Sequence, residues 1–290
     1  MSTWEDAVDK LSVQQVANFA VIGNSVGCGY NAAGYTNIPG ISLSNGKLTT
    51  AGKISDVVTG AWVTRFRAFV KSYNAGSQVY NFSGNGWDSN DHRGISLPSS
   101  GVVGPTDTVA EILAMSTKPD LVLLPLQIND PNHGLTLATF ETNTRAIIAG
   151  LAAGGVPCLI MLENWTSIAN YVDFQTRAVQ ISNSLNLPFI DGRKPFGPNG
   201  DGRMFDYAHP NDTGHAAEYQ AVAGWFLSKM HGGRALAAGR SDARGVYKPT
   251  GALRIKRPNG TIDGFPVRPG SVGDPIRIKL PDGVHGVQFQ

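Results

Sequence analysis

The stretch DLVLLPLQI, residues 120–128, is almost continuously apolar between Asp120 and Ile128. A central strand of a parallel sheet is buried on both faces and therefore shows such a run. An antiparallel strand with one face in water would alternate apolar and polar side chains instead. The stretch therefore predicts a central strand of a parallel sheet.

Strand-like and helix-like segments alternate on both sides of this run. The helix-like segments carry apolar residues at helical spacing, and the strand-like segments are short and apolar. This alternation predicts an α/β fold in which a mostly parallel sheet carries helices on both faces. The other predicted strands are 18–24, 78–82, 156–164 and 187–192, and the predicted helices are 59–72, 106–116, 136–155, 170–186 and 212–230.

Length and composition favour one large globular domain with a small appendage. The chain has 290 residues, of which 41% are hydrophobic and 16% charged, and no apolar run is long enough for a membrane span. The N-terminal segment lacks the basic and apolar regions of a secretory signal, which predicts cytoplasmic synthesis and leaves the final compartment, a virion included, open. The two cysteines, Cys28 and Cys158, have no metal-ligand spacing, so we expect no metal and no disulfide framework.

The composition of the sequence changes near residue 233. Residues 234–290 carry a net charge of +6 and residues 1–233 a net charge of −4. In the later part LRIKRPNG (253–260) recurs as IRIKLPDG (276–283), and each copy predicts a β-hairpin. We therefore expect a domain over 1–233 and a small β-rich module over 234–290. The module's sparse charge favours carbohydrate contact or homo-oligomer assembly over nucleic acid.

Polar side chains follow the predicted strands, at the edge of the sheet where parallel strands place functional groups. VIGNSVGCG (21–29) puts Ser25 directly after the first strand, and FDYAHPNDTGH (205–215) puts Asp206 three residues before His209. A carboxylate at this spacing can accept a hydrogen bond from the imidazole and leave its other nitrogen free as a base. The pattern predicts Ser25 as nucleophile, His209 as base and Asp206 as its orienting acid.

Three groups at the same edge can donate hydrogen bonds to a reacting oxygen. They are the backbone N–H groups of Ser25 and Gly86 and the side-chain amide of Asn129. The alternative, a phosphate-binding loop at GNSVGCG, is disfavoured because the loop has neither the Lys-Ser/Thr ending of a P-loop nor G-x-G-x-x-G spacing.

The four blocks GNSVG, NFSGNG, QIND and DYAHP resemble, in order and spacing, those of the SGNH or GDSL hydrolases from about residue 18 to residue 230. The resemblance implies a flavodoxin-like three-layer α/β/α fold, a five-stranded sheet, esterase or deacylase activity and no cofactor. Two positions depart from the family pattern. Asn24 stands where the family has an aspartate, and Gln127 stands where it has a glycine.

Together these features predict a serine hydrolase that cleaves carboxylic esters through an acyl-enzyme. Polar and aromatic loops favour an O-acetylesterase acting on carbohydrate, with Trp87, Gln127 and Trp165 as candidate substrate contacts. Two alternatives stay open. One is a general short-chain esterase or thioesterase, and the other is a catalytically weak carbohydrate-recognition module of a phage tail or surface fibre.

Overall fold

The structure is a computed structural model that describes residues 3–35, 58–95, 106–197 and 200–232, together with six short strands between residues 239 and 287. The chain divides into two compact units, Met1–Phe226 and Leu227–Gln290. This division falls within the last helix of the first unit, and the predicted domain boundary at 233–234 stays a prediction.

The first unit contains five strands and eight helices among its described residues. The strands are β1 Asn18–Val21, β2 Gln78–Asn81, β3 Leu121–Leu124, β4 Cys158–Leu162 and β5 Phe189–Asp191. The helices are α1 Trp4–Ser12, α2 Ser25–Cys28, α3 Trp62–Tyr73, α4 Thr108–Leu113, α5 Asn129–Asn132, α6 Leu137–Ala153, α7 Tyr171–Ser184 and α8 Asp212–Gly232.

The five strands form one sheet in the order β2-β1-β3-β4-β5, and every neighbouring pair is parallel. The apolar run that predicted a central strand contributes β3, the middle strand of the sheet. All residues of β1, β3 and β4 are buried, as a strand covered on both faces requires. The predicted α/β fold with a five-stranded parallel sheet is confirmed.

Successive side chains of a strand point to opposite faces, and β1 shows what covers each face. Phe19 contacts Phe66 of α3 and Phe226 of α8, with ring centroids 5.5 and 5.4 Å apart. Its neighbour Ala20 belongs to the cluster on the other face, which contains Phe140 of α6. The sheet is therefore the middle layer of three, as the family resemblance implied.

The predicted strands are shorter in the structure, and β3 shows the reason. The strand predicted over 120–128 ends at Leu124 because Pro125 has no N–H to give to the sheet. Beyond it, the N–H groups of Gln127 and Ile128 bind a side chain rather than a neighbouring strand. Helix α1 was not predicted from the sequence, although Thr3 and Asp6 form a capping box at its start.

The second unit consists of antiparallel strand pairs in the part that the structure describes. Strand β8 (Ala252–Lys256) pairs with β9 (Ile262–Pro266), and β10 (Ile276–Leu280) pairs with β11 (Gly283–Val287), so both predicted hairpins are present. A third pair, β6 (Gly239–Ser241) with β7 (Tyr247–Pro249), was not predicted. None of the described helices is both long and apolar enough to cross a membrane.

Candidate active site

Ser25 lies at the carboxyl edge of the sheet, four residues after β1 ends. The preceding residue, Asn24, caps the short helix α2, since its Oδ1 accepts the Val26 N–H at 2.9 Å. Ser25 is thus the first residue of that helix, and it is 5% exposed. The turn fixes the serine backbone at this edge of the sheet.

His209 contacts Ser25, although the two residues are 184 positions apart in the sequence. The Ser25 Oγ lies 2.9 Å from the His209 Nε2, and the His209 Nδ1 lies 2.8 Å from the Asp206 Oδ2. An ionised carboxylate can only accept, so Nδ1 carries a hydrogen and the neutral ring presents a bare Nε2 to the serine hydroxyl. The structure therefore brings the three predicted residues into one hydrogen-bonded chain.

The Asp206 carboxylate also stabilises the turn that carries Asp206 and His209. The Asp206 Oδ1 accepts the backbone N–H groups of Ala208 at 2.8 Å and His209 at 2.7 Å. Burial alone would raise the pKa of Asp206, but these backbone bonds and the His209 ring hold it below its usual value. The acid therefore stays ionised at neutral pH and keeps the imidazole in one orientation.

The segment after β4 fastens this turn to the sheet. The Asn164 Nδ2 donates to the Ala208 carbonyl at 3.0 Å, and the Thr166 Oγ1 donates to the Tyr207 carbonyl at 2.6 Å. The polar cluster that follows the fourth predicted strand thus holds the loop that carries the base.

Tyr30 is a site residue that the sequence did not reveal. Its ring lies 4.3 Å from the His209 ring, centroid to centroid, with the planes tilted by 38°. The contact covers one face of the imidazole and limits its rotation. Nothing in the local stretch GCGYN distinguishes this tyrosine from one that packs in the core.

The three predicted hydrogen-bond donors lie at the same strand edge. Gly86 has a φ of +69°, a backbone conformation that favours glycine. Among the residues that the structure describes, the backbone N–H groups of Ser25 and Gly86 make no hydrogen bond. One N–H of the Asn129 side chain donates to the Trp87 carbonyl at 2.9 Å, which orients the amide and leaves its second N–H for a ligand.

Two of the three candidate substrate contacts lie in the interior. Trp87 is 1% exposed and packs over Gly84, so its indole does not form an open aromatic wall. Gln127 is also 1% exposed, and its Oε1 accepts the Glu163 N–H at 3.1 Å. Its amide is therefore part of the framework and not directed at an acyl or leaving group. Trp165 is half-buried and keeps an exposed surface.

Within the part of the chain that the structure describes, one group of side chains has ligand atoms close enough to hold a metal ion. Asp88, Asp91 and His133 have ligand atoms within 4.8 Å of one another. The Asp88 carboxylate already accepts the backbone N–H groups of Asn90 and Asp91 and contacts the His133 Nδ1 at 3.0 Å. These bonds make the three side chains a polar brace of the loop after β2, and none of the hydrogen bonds that the structure describes joins them to Ser25, His209 or Asp206.

Comparison with known proteins gives a fold and no close relative. No protein-family model matches the chain, and no curated protein shows significant sequence similarity to it. Solved structures do match. A member of the lipolytic G-D-S-L family from Veillonella parvula aligns with a TM-score of 0.53 at 13% identity, covering 73% of this chain and 99% of the other.

Two further structures match over similar lengths. Axe2, an acetylxylan esterase from Geobacillus stearothermophilus, aligns with a TM-score of 0.52 at 17% identity, covering 74% of this chain and 94% of the other. TesA aligns with a TM-score of 0.51 at 16% identity, covering 73% of this chain and 99% of the other. The chain therefore has the fold of the SGNH, or GDSL, hydrolases, and the recognition of that fold from four short blocks is confirmed.

Proposed function

We propose that the protein is a serine hydrolase that cleaves carboxylic esters through an acyl-enzyme. The observation that carries the proposal is the chain of hydrogen bonds from the Ser25 hydroxyl through His209 to Asp206. An unassisted serine hydroxyl is a weak nucleophile, and an adjacent base oriented by a third group is what activates it. The SGNH fold supports the same conclusion.

The geometry supports the following reaction. The His209 Nε2 accepts the Ser25 proton as Oγ attacks the ester carbonyl carbon, and the tetrahedral intermediate forms. Collapse breaks the bond to the alcohol, which leaves with the proton from His209. Water then attacks the acyl-serine with His209 as base, and release of the carboxylic acid restores Ser25. Asp206 stabilises the imidazolium in both halves of the reaction.

The negative oxygen of the intermediate is bound by the backbone N–H groups of Ser25 and Gly86 and by the Asn129 side chain. These donors belong to three separate strand ends and are fixed before substrate arrives. Prepositioned donors need no reorganisation when the charge develops, which is the source of their effect on rate.

Asn129→Ala should therefore lower kcat by about 10²–10³-fold. The loss should fall mainly on kcat, because the amide is needed most where the oxygen carries charge. Asn132→Ala is the matched control, since Asn132 is an exposed residue of the same short helix. Steady-state kinetics on p-nitrophenyl acetate checks the prediction. Equal activity of the two variants would remove Asn129 from the mechanism.

For the substrate, we propose an O-acetyl ester on carbohydrate. Phe205 and Tyr207 flank Asp206 and are 66% and 53% exposed, which is unusual for large aromatic side chains and gives a sugar ring a surface to pack on. Trp165 adds exposed aromatic surface, and it lies between Asn164 and Thr166, the two residues whose side chains bind this turn. The likeness to Axe2 supports the same substrate class.

A general short-chain esterase or thioesterase is the second candidate, and the likeness to a member of the lipolytic G-D-S-L family is compatible with it. Acetyl release from O-acetylated xylan, compared with cleavage of a C8 p-nitrophenyl ester and an acyl thioester, separates the two. We expect the acetylated glycan to give the highest kcat/KM of the three substrates. The double variant Phe205→Ala/Tyr207→Ala should lower kcat/KM for the glycan and leave p-nitrophenyl acetate cleavage unchanged. Faster cleavage of the C8 ester or thioester would support the second candidate. Glycan binding without turnover would support a recognition module.

A further inference from the structure

A buried carboxylate binds the residue that precedes Ser25, and the reaction described above does not use it. Glu163 follows directly after β4 and is fully buried. Its Oε1 accepts the Asn24 Nδ2 at 2.6 Å, across 139 residues of sequence. Asn24 is the position where the Gly-Asp-Ser pattern has an acid, so the amide there is paired with an acid from another strand.

The second oxygen of the same carboxylate binds the end of β3. The Glu163 Oε2 accepts the backbone N–H of Gln127 at 2.7 Å and that of Ile128 at 3.0 Å. The Glu163 N–H in turn donates to the Gln127 Oε1. One carboxylate therefore joins the ends of β1, β3 and β4, and every bond to it comes from a group that can only donate.

The residues held in this way stand immediately before two groups of the site. Asn24 precedes Ser25, and its Oδ1 simultaneously caps α2 through the Val26 N–H. Gln127 and Ile128 precede Asn129, the first residue of α5. A shift of the carboxylate would move the nucleophile and a donor of the oxyanion site relative to each other.

We infer that Glu163 is a positioning residue of the hydrolytic site, and that with Asn24 it forms a pair in which the negative charge has moved from residue 24 to residue 163. The inference rests on the proposed function, because what the pair positions is Ser25 and Asn129. The amide at residue 24 is then a requirement of the buried acid opposite it and not a sign of lost activity.

The surroundings of Glu163 show why it needs these donors. Burial raises the pKa of Glu163 to about 7, and the bonds from Asn24, Ile128 and Gln127 oppose that rise. The other titratable groups that act on it are Tyr171 of α7, Glu218 of α8 and Asp130 of α5, all of them fully buried and with raised pKa values. None of these three supplies a positive charge, so the three hydrogen-bond donors are the groups that favour the ionised form of Glu163.

Exchanging the amide at residue 24 and the carboxylate at residue 163 is the sharpest test, because each single substitution breaks their hydrogen bond and the double substitution restores it. In Asn24→Asp two carboxylates face each other at the 2.6 Å contact, and in Glu163→Gln two amide nitrogens face each other. In the double variant the residue 24 carboxylate accepts from the residue 163 amide. The residue 163 carbonyl still accepts from Gln127 and Ile128, so the number of bonds is preserved.

We expect each single variant to lose on the order of 10²-fold in kcat, the effect of misplacing a catalytic group by about 1 Å. The double variant should recover to within about 5-fold of the wild type, which is a strong coupling between neighbouring sites. KM should change little throughout. Glu141→Gln, which breaks ion pairs with Arg145 and Arg177 far from the pair in sequence, is the control and should leave kcat unchanged.

The pH profile separates positioning from simple loss of structure. In Asn24→Asp the two facing carboxylates can share a proton, so its kcat relative to that of Glu163→Gln, which has no acid at the pair, should rise as pH falls from 8 to 6. The wild type has a single carboxylate at the pair and should show no such gain relative to Glu163→Gln. Circular dichroism melts of all four proteins report folding independently. If Asn24→Asp does not fold, Asn24→Ala takes its place, and Glu163→Gln should then cost less than it does in the wild type.

The following outcomes would overturn the inference. A double variant no better than the worse single variant, or single variants with wild-type kcat, would overturn it even though the wild type is active and labels at Ser25 with a fluorophosphonate. If the wild type neither cleaves esters nor labels at Ser25, the proposed function fails and the inference with it. Recovery of the melting temperature without recovery of kcat would reduce the pair to a structural contact and would also overturn it.

Discussion

Ser25→Ala is expected to reduce ester hydrolysis by roughly 10⁴-fold or more, which in practice is to background. The Ser25 Oγ is the atom that His209 contacts at 2.9 Å, and alanine leaves the base with nothing to activate. The backbone donors remain in this variant, so a small residual rate above that of water is consistent with the mechanism. Hydrolysis of p-nitrophenyl acetate by highly purified protein measures the effect.

A fluorophosphonate probe gives an independent test of the same residue. Wild-type protein should be labelled once, at Ser25, and the alanine variant should not be labelled. Ser72→Ala is the matched control, because Ser72 is an exposed helical serine whose hydroxyl bonds only to the Phe69 carbonyl among the described residues. Undiminished hydrolysis in the Ser25 variant, or labelling at another serine, would contradict the proposed mechanism.

Asp206→Asn should lower kcat by roughly 10⁴-fold, a loss as large as that of the nucleophile but with a different cause. The asparagine Oδ1 can still accept the Ala208 and His209 N–H groups, so the turn survives. Its amide nitrogen then faces the His209 Nδ1 and donates to it. The ring hydrogen moves to Nε2, and the imidazole can no longer accept the Ser25 proton.

Because the substitution preserves the turn, the melting temperature should change little while kcat falls. Asp201→Asn is the control, since Asp201 is an exposed residue of the same loop with a 4.0 Å contact to Arg203. Kinetics between pH 6 and pH 9 should show the loss at every pH, because a wrong tautomer is not corrected by deprotonation. Full activity of Asp206→Asn at any pH in this range would contradict the proposed role of Asp206 in fixing the tautomer.

Local patterns were sufficient to predict the sheet and the three residues that the structure joins in one hydrogen-bonded chain. The apolar run around Leu123 predicted the middle strand, and the alternation of strands and helices predicted the parallel topology. Ser25, Asp206 and His209 were predictable because strand order places the carboxyl ends of parallel strands at one edge. The spacing of Asp206 and His209 is local, so their contact could be predicted without knowledge of the rest of the fold.

The direction in which a side chain points after a strand ends has no comparable local pattern. Gln127 and Trp87 were expected to face substrate, yet both are buried. Glu163 was missed because the groups that satisfy its charge come from two other strands, and only the folded sheet brings them together. The contact of Tyr30 with His209 is equally non-local.

The distance in sequence between Ser25 and His209 also bears on when their contact forms during folding. Their contact closes a loop of 184 residues, and contacts of such long range carry a large entropic cost that the intervening sheet and helices must offset first. A chain emerging from the ribosome has the serine early and the histidine only after β5 has been made. The contact between the two side chains therefore forms only after β5 has been made and the segment that carries His209 has reached the edge of the sheet.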